Sequence, residues 1–126
     1  MIEQKSRANN FCSLLAETEG RLMDSNLIRE KILSGNWAMS KHARVRAGQR
    51  KVKDLEVVMA IAHGDIIEDY PQDARGHSCL VLGYIDPGKP VHAICRLDPS
   101  GTLIIITVYF PEPSKWIDER TRRKGD

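Results

Sequence analysis

The sequence predicts one α+β domain, in which helices come first and an antiparallel sheet follows. Three observations favour this class. Apolar residues recur at helical spacing up to about residue 62, the periodicity then changes to two, and the later apolar segments are joined by short turns rich in Asp, Pro and Gly. The chain has 126 residues, of which 41% are hydrophobic, so it can bury one core.

The first helix is expected within residues 9–22, ahead of the main domain. Its apolar residues lie at roughly helical spacing: Phe11, Leu14, Leu15 and Leu22. We interpret residues 1–22 as an N-terminal helical extension and residues 23–126 as the α+β domain.

Three further helices are predicted before the sheet. Asp24 or Ser25 can cap a helix that runs to about Leu33, and Ser40 can cap one that runs to about Gln49. The last helix starts at Asp54 and ends before a glycine at position 64. Its expected buried stripe follows the i, i+3, i+4, i+7 pattern: Leu55, Val58, Met59 and Ala62.

Roughly four strands follow, and their short connections predict antiparallel neighbours. The predicted strands are Ile66–Tyr70, His77–Ile85, Val91–Leu97 and Thr102–Phe110. Pro111 and Pro113 end the last strand, and Ser114 can cap a short C-terminal helix.

The net charge is only +2, but the charges are unevenly distributed. Residues 41–53 hold a run of bases without an acid: Lys41, Arg44, Arg46, Arg50, Lys51 and Lys53. Residues 54–75 are acidic, and the C-terminal stretch is basic again. We therefore expect a polarised molecule that meets an anionic partner on one side.

Composition argues against several other classes of protein. No apolar run approaches the roughly 20 residues of a membrane span, and residues 1–10 lack the apolar core of a signal peptide, so we expect a cytoplasmic protein without a membrane partner. The three cysteines form no C-x-x-C pair, and Cys79 and Cys95, which lie in apolar strand-like segments, are expected to be small buried hydrophobes. No nucleotide-binding or metal-ligand motif occurs, so neither a metal nor a cofactor is expected.

The basic segment around residue 42 is the strongest candidate for a site. On a helix, His42 and Arg46 lie four residues apart and share a face. Arginine binds phosphate oxygens and histidine titrates near neutral pH, so the pair suits a phosphodiester. The alternative is a solvated basic helix in which His42 caps or packs. The same segment supplies three nucleic-acid-binding candidates: Arg44, Gln49 and Arg50.

The sheet and the C-terminal stretch supply the remaining candidates. His92 lies in a strand and Tyr109 ends a nearly all-apolar one, so each could serve a cleft or simply complete the core. On a C-terminal helix, Trp116 would share a face with Arg120 and Arg123, which is a plausible stacking platform for bases. Alternatively, Trp116 docks that helix while the arginines are solvated.

The order of these motifs resembles a bacterial family, the domain of unknown function numbered four-two-five-eight. The resemblance covers about residues 23–123 and leaves residues 1–22 outside. It depends on five strings: Ser40-x-His42-Ala43-x-x-Arg46-x-x-x-Arg50; Gly64-Asp65-Ile66-Ile67-Glu68-x-Tyr70-Pro71; Cys79-Leu80-Val81-Leu82-Gly83; Pro90-Val91-His92; and Thr107-Val108-Tyr109-x-Pro111-x-x-x-x-Trp116.

What this resemblance implies is a RelE-like fold and an activity on RNA. Genes of the family often neighbour MqsA-type antitoxins, and the domain is similar to the compact RelE, MqsR and BrnT ribonuclease toxins, which need no metal. By position, His42, Arg46 and Arg50 would form the helix-borne part of a site, and His92 and Tyr109 the part from the sheet. The sequence lacks the lysine-rich strand centre of RelE-like nucleases. The implied partners are RNA, free or ribosome-associated, and a cognate antitoxin.

We therefore expect a metal-independent endoribonuclease toxin of a toxin–antitoxin system. His42 would act as general base or acid, Arg46 and Arg50 would hold the scissile phosphate, and His92 or Tyr109 would relay the second proton. The alternative is a non-enzymatic module that binds a protein or a nucleic acid. Geometry discriminates between the two, because the enzyme requires these side chains to converge in one cleft.

Overall fold

The structure is a computed structural model that describes residues 23–86, 88–112 and 115–122. Within these residues it contains three helices and one five-stranded sheet. The helices are α1 (Ser25–Leu33), α2 (Lys41–Gln49) and α3 (Asp54–Ala62), and the strands are β1 (Trp37–Met39), β2 (Asp65–Tyr70), β3 (Ser78–Ile85), β4 (Lys89–Leu97) and β5 (Leu103–Tyr109). The predicted α+β class is confirmed.

The sheet has the strand order β1-β5-β4-β3-β2 and is mixed rather than wholly antiparallel. Strands β2 to β5 form the antiparallel meander that their short connections predict. The prediction of four strands is incomplete, because β1 pairs with β5 in parallel at the edge of the sheet. With only three residues, β1 is too short to show a periodicity of two.

Side-chain caps fix the starts of the helices where the sequence predicts them. The Asp24 carboxylate accepts a hydrogen bond from the Leu27 amide at 2.8 Å, and the Ser40 hydroxyl accepts one from the Ala43 amide at 3.0 Å. At the start of α3, the Glu56 carboxylate accepts a hydrogen bond from the backbone amide of Lys53 at 2.9 Å.

Half of the predicted buried stripe of α3 is confirmed, because Val58 and Ala62 are buried. Leu55 and Met59 are 67% and 44% exposed, whereas Val57 and Ile61 are buried. The helix is apolar on most sides, so periodicity alone does not choose the face. Close packing decides it: a Cβ on Gly83 of β3 would lie 2.4 Å from the Ala60 carbonyl oxygen, so glycine lets the helix approach the strand.

All three helices contact one face of the sheet, and that face forms the main core. Its side chains come from alternate positions of β3, β4 and β5: Cys79, Val81, Ile85, Val91, Ala93, Cys95, Leu103, Ile105 and Val108. The expectation that Cys79 and Cys95 are buried is confirmed. Burial raises the pKa of Cys79 to about 12, so its thiol is not a reactive thiolate.

The face of the sheet opposite the main core carries His92 on β4, and we call this face the open face. Two register shifts determine which other side chains lie on it. In β5 the pairing slips between Ile105 and Thr107, and in β2 it slips between Ile66 and Glu68. Each slip inserts one residue, which reverses the alternation beyond it. As a result Tyr109 and Glu68 share the open face with His92 instead of entering the core.

Residues 115–122 form no helix, so the prediction of a C-terminal helix is wrong for this part of the chain. The Asp118 carboxylate accepts hydrogen bonds from the amides of Arg120 and Thr121, each at 2.8 Å, and closes a turn. An isolated β-bridge joins Trp116 to Arg122 across that turn. We call residues 115–122 the C-terminal segment. The expected cap, Ser114, lies outside the described residues.

The predicted N-terminal extension, residues 1–22, also lies outside the described residues, as does Arg123. In the part of the chain that is described, no helix is both long enough and apolar enough to cross a membrane.

Candidate nucleic-acid interface

An open groove of about 390 Å³ lies where α2, the end of β5 and the C-terminal segment meet. We call it the cationic groove. Its described lining combines four cationic side chains with aromatic surface: Arg46, Arg50, Ile94, Tyr109, Phe110, Glu112, Lys115, Trp116 and Arg122. Three guanidinium groups and one ammonium group therefore surround a single concave surface.

Helix α2 presents two of these arginines because its other side is small and apolar. Ala43 and Ala47 are fully buried, and they allow the helix to pack closely on β5. Arg46 and Arg50 lie one turn apart on the exposed side. Arg46 makes no hydrogen bond or ion pair with any described residue. The Arg50 guanidinium lies 5.0 Å from the centre of the Phe110 ring, a cation–π contact that orients it.

The C-terminal segment crosses the open face and carries the third arginine to the groove. Trp116 is only 3% exposed, and its ring packs edge-on against His92 with the ring centres 4.4 Å apart. The Arg122 guanidinium also contacts this tryptophan, 4.6 Å from the centre of its ring. Trp116 therefore anchors the segment and supports Arg122.

Glu68 and Tyr70 on β2 hold the Arg122 guanidinium in place. Two nitrogens of Arg122 donate to the two carboxylate oxygens of Glu68 at 3.0 and 3.3 Å, and the Tyr70 hydroxyl donates to the same carboxylate. Burial alone would raise the pKa of Glu68, but the hydrogen bonds from Arg122 and Tyr70 lower it. Burial and the hydrogen bond to Glu68 raise the pKa of Tyr70 to about 12.

Tyr109 brings an ionisable group from the sheet to the cationic groove. Its phenol ring lies edge-on to His92, with the ring centres 5.1 Å apart. Burial raises the pKa of Tyr109 above its ordinary value, against the opposing effect of Arg122. Tyr109 is therefore protonated at neutral pH and can donate a proton.

His92 lies beneath this surface and is fully buried. Its Nε2–H donates to the carbonyl oxygen of Glu119 at 2.7 Å, whereas Nδ1 has no partner among the described residues. Burial lowers the pKa of His92, although the bond to Glu119 and the nearby Glu68 carboxylate act in the opposite direction. His92 is therefore neutral and ties the C-terminal segment to β4.

The sequence profile of the family described as Domain of unknown function (DUF4258) matches residues 39–110, more than half of the chain. The chain belongs to the DUF4258 family. No curated protein and no solved structure matches it. The matched part of this DUF4258 protein includes Arg46, Arg50 and Tyr109 but ends before the C-terminal segment that provides Arg122.

The structure of this DUF4258 chain brings together only some of the side chains that sequence patterns select. Arg46, Arg50 and Tyr109 line one groove. His42 is exposed on the first turn of α2 and does not line the groove. His92 is fully buried beneath the C-terminal segment, so it could contact a substrate only if that segment moved. The predicted convergence of all four proposed catalytic residues is therefore incomplete.

The other predicted nucleic-acid-binding residues that the structure of this DUF4258 chain describes lie outside the groove. Gln49 is exposed on α2 but is not among the lining residues. Arg44 faces Asp54, with a nitrogen–oxygen distance of 3.7 Å, and Arg120 forms an ion pair with Asp65 at 2.7 Å. Because residues 115–122 form a turn and no helix, Trp116 and Arg120 do not share a helical face, and Arg123 lies outside the described residues.

Sequence patterns missed the groove residues Glu112, Lys115 and Arg122, and also the supporting Glu68. Helical spacing from Trp116 selects positions 120 and 123, whereas the β-bridge brings position 122 next to Trp116. The basic composition of the C-terminus was the available signal, but it does not distinguish Arg122 from its neighbours.

Proposed function

We propose that this chain binds single-stranded RNA in the cationic groove. The observation that carries the proposal is the convergence of Arg46, Arg50, Lys115 and Arg122 around one open surface that also holds the Tyr109 hydroxyl. Guanidinium groups bind phosphate oxygens through paired N–H donors. Three of these cations, Arg46, Arg50 and Lys115, form no ion pair within the described residues, and unpaired positive charge along a groove is typical of a site that follows a phosphate backbone.

The size and lining of the groove favour a single strand. The groove, at about 390 Å³, is in the size range of sites that bind one small ligand, and its aromatic side chains offer surfaces on which unpaired bases can stack. Arg46 and Arg50 are four residues apart, about 6 Å along the helix axis, so they can contact successive phosphates. The Arg50 guanidinium stacked on Phe110 adds a flat surface against which a base can stack.

A binding assay tests this proposal directly. A fluorescein-labelled single-stranded RNA should bind the full chain, and Arg46→Ala or Arg50→Ala should each weaken binding about tenfold, because each removes a charged hydrogen-bond donor. Lys41→Ala is the matched control, since Lys41 is an exposed cation on the same helix outside the groove. Equal affinities of wild type and both arginine variants would contradict the proposal, and equal affinity for DNA of the same sequence would contradict the preference for RNA.

Cleavage of the bound RNA is the second candidate function, and one observation favours it: Glu112 and Tyr109 line the same groove. The 2′-OH would lose its proton to the Glu112 carboxylate and form a bond to phosphorus. The bond from phosphorus to O5′ would break, and the Tyr109 hydroxyl would donate its proton to that oxygen. The guanidinium groups would stabilise the phosphorane, and the products would be a 2′,3′-cyclic phosphate and a 5′-OH.

Induced expression distinguishes a ribonuclease toxin from a binding module. Growth arrest with loss of cellular RNA is expected from wild type, and neither effect from Tyr109→Phe or Glu112→Gln if these groups transfer protons. Both variants should still bind the fluorescein-labelled RNA of the binding assay. If wild type binds RNA but neither arrests growth nor cleaves it, the protein is a non-enzymatic RNA-binding module.

A further inference from the structure

A second groove, of about 630 Å³, runs along the outer side of α3 and the end of β3. We call it the apolar groove. It shares no described lining residue with the cationic groove. Its lining includes three large apolar side chains, Leu55, Met59 and Tyr84, together with Glu56, His63 and Asp86. Nothing in the proposed RNA binding uses this surface.

The apolar groove concentrates hydrophobic side chains that are left in solvent. Leu55, Met59 and Tyr84 are 67%, 44% and 47% exposed. They are half of the six large apolar residues that are exposed in the described part of the chain. Single exposed apolar residues are ordinary, but several lining one concave surface are typical of a protein-binding site.

The charge around the groove indicates what kind of segment fits it. Glu56 and Asp86 are acidic, and no lysine or arginine is among the described lining residues of the groove. The Glu56 carboxylate accepts a hydrogen bond from the Lys53 amide, which fixes its position in the lining of the groove. An apolar surface that also carries acidic side chains complements apolar side chains flanked by positive charges.

We infer that the apolar groove binds a cationic amphipathic segment of a partner protein. The apolar side chains of that segment would pack on Leu55, Met59 and Tyr84, and its lysine or arginine side chains would lie beside Glu56 and Asp86. The interaction is independent of RNA binding, because the two grooves have separate linings.

A peptide pair of opposite charge tests this inference on the full chain. The probe is a fluorescein-labelled helical peptide of about 14 residues with leucine on one face and lysine on the other, and its match carries glutamate in place of lysine. We expect the lysine peptide to bind at least about tenfold more tightly than the glutamate peptide. Equal binding of the two peptides, or binding of neither, would overturn the inference.

Substitutions in the groove locate the binding. Leu55→Asp and Met59→Asp should each weaken the lysine peptide about tenfold, although both add negative charge that favours a cationic peptide. Leu33→Asp is the matched control, because Leu33 is 65% exposed but lies outside the groove. Glu56→Gln keeps a hydrogen-bond acceptor for the Lys53 amide and should weaken binding a few-fold.

Two further results would overturn the inference. One is an unchanged affinity in both Leu55→Asp and Met59→Asp variants that retain the wild-type circular dichroism spectrum. The other is a wild-type dimer in sedimentation equilibrium that Leu55→Asp dissociates, since the occupant of the groove would then be a second copy of this chain.

Discussion

At the scale of single residues, His92 links the protonation state of the protein to its stability. The buried ring donates one N–H to the C-terminal segment, and its Nδ1 has no partner among the described residues. A second proton on Nδ1 would be buried without an acceptor, so the folded pKa lies below the ordinary value of about 6.5. The unfolded chain then binds this proton first, and stability falls as the pH drops below about 6.5.

We expect the free energy of unfolding to decrease more between pH 7 and pH 5 in wild type than in His92→Phe. The variant has no imidazole to protonate, while every other titrating group is common to both proteins. Urea unfolding at the two pH values measures the difference. The same pH dependence in wild type and variant would show that His92 does not carry this effect.

A substitution at Gly83 tests whether the close contact between α3 and the sheet stabilises the fold. A Cβ at this position would lie 2.4 Å from a backbone oxygen of α3, so Gly83→Ala must push the helix away from β3. We expect it to lower the free energy of unfolding by about 1–3 kcal/mol, the usual cost of overpacking. Urea unfolding provides the measurement.

Gly48→Ala is the control for Gly83→Ala, because it adds the same methyl group where there is room. Gly48 lies within α2, and a Cβ at this position would have no described atom within 4 Å beyond its own helix backbone and chain neighbours. Alanine favours a helix interior over glycine by about 1 kcal/mol, so this variant should be slightly more stable than wild type. Destabilisation of both variants to the same extent would contradict the proposed contact.

At the scale of elements, the C-terminal segment stabilises the open face of the sheet. Trp116 covers His92 and supports Arg122, so Trp116→Ala should lower the free energy of unfolding by about 3 kcal/mol. Its neighbour Ile117 is 59% exposed, and Ile117→Ala should change stability by less than about 0.5 kcal/mol. Equal effects of the two substitutions in urea unfolding would show that the segment is not anchored by Trp116.

Most elements could be predicted because their signals are local. Caps such as Ser40 mark helix starts, and turns between alternating segments mark the meander of β2 to β5. The edge strand β1 could not be predicted, because its three residues become a strand only by pairing with β5. The buried face of α3 likewise depends on the contact with Gly83, which lies beyond β2 in the chain.

The candidate site was harder to predict than the elements, because irregularities build it. The two bulges direct Glu68 and Tyr109 to the open face, and a simple alternation through each strand would place both in the core. Arg122 enters the groove through a turn instead of a helix. By contrast, Arg46 and Arg50 follow from regular helical spacing, and the sequence identifies both.

At the scale of the whole molecule, the acidic and basic segments partly neutralise each other. Asp65 pairs with Arg120, Glu68 with Arg122, and Asp54 with Arg44. The acidic stretch therefore keeps less free negative charge than its composition suggests. The unpaired positive charge of the cationic groove comes from Arg46, Arg50 and Lys115, which form no ion pair within the described residues.

This distribution predicts how RNA binding depends on salt. Each phosphate contact with a single strand contributes about −0.7 to the slope of log K against log salt concentration, so three unpaired cations give a slope of about −2. Arg46→Ala should reduce the magnitude of the slope by about 0.7, and Lys41→Ala, outside the groove, should leave it unchanged. Fluorescence anisotropy across a salt series measures both. A slope near zero in wild type would mean that RNA binds through contacts other than phosphate. If Arg46→Ala and Lys41→Ala reduced the slope equally, the overall charge of α2 would determine binding, and not the position of Arg46 in the groove.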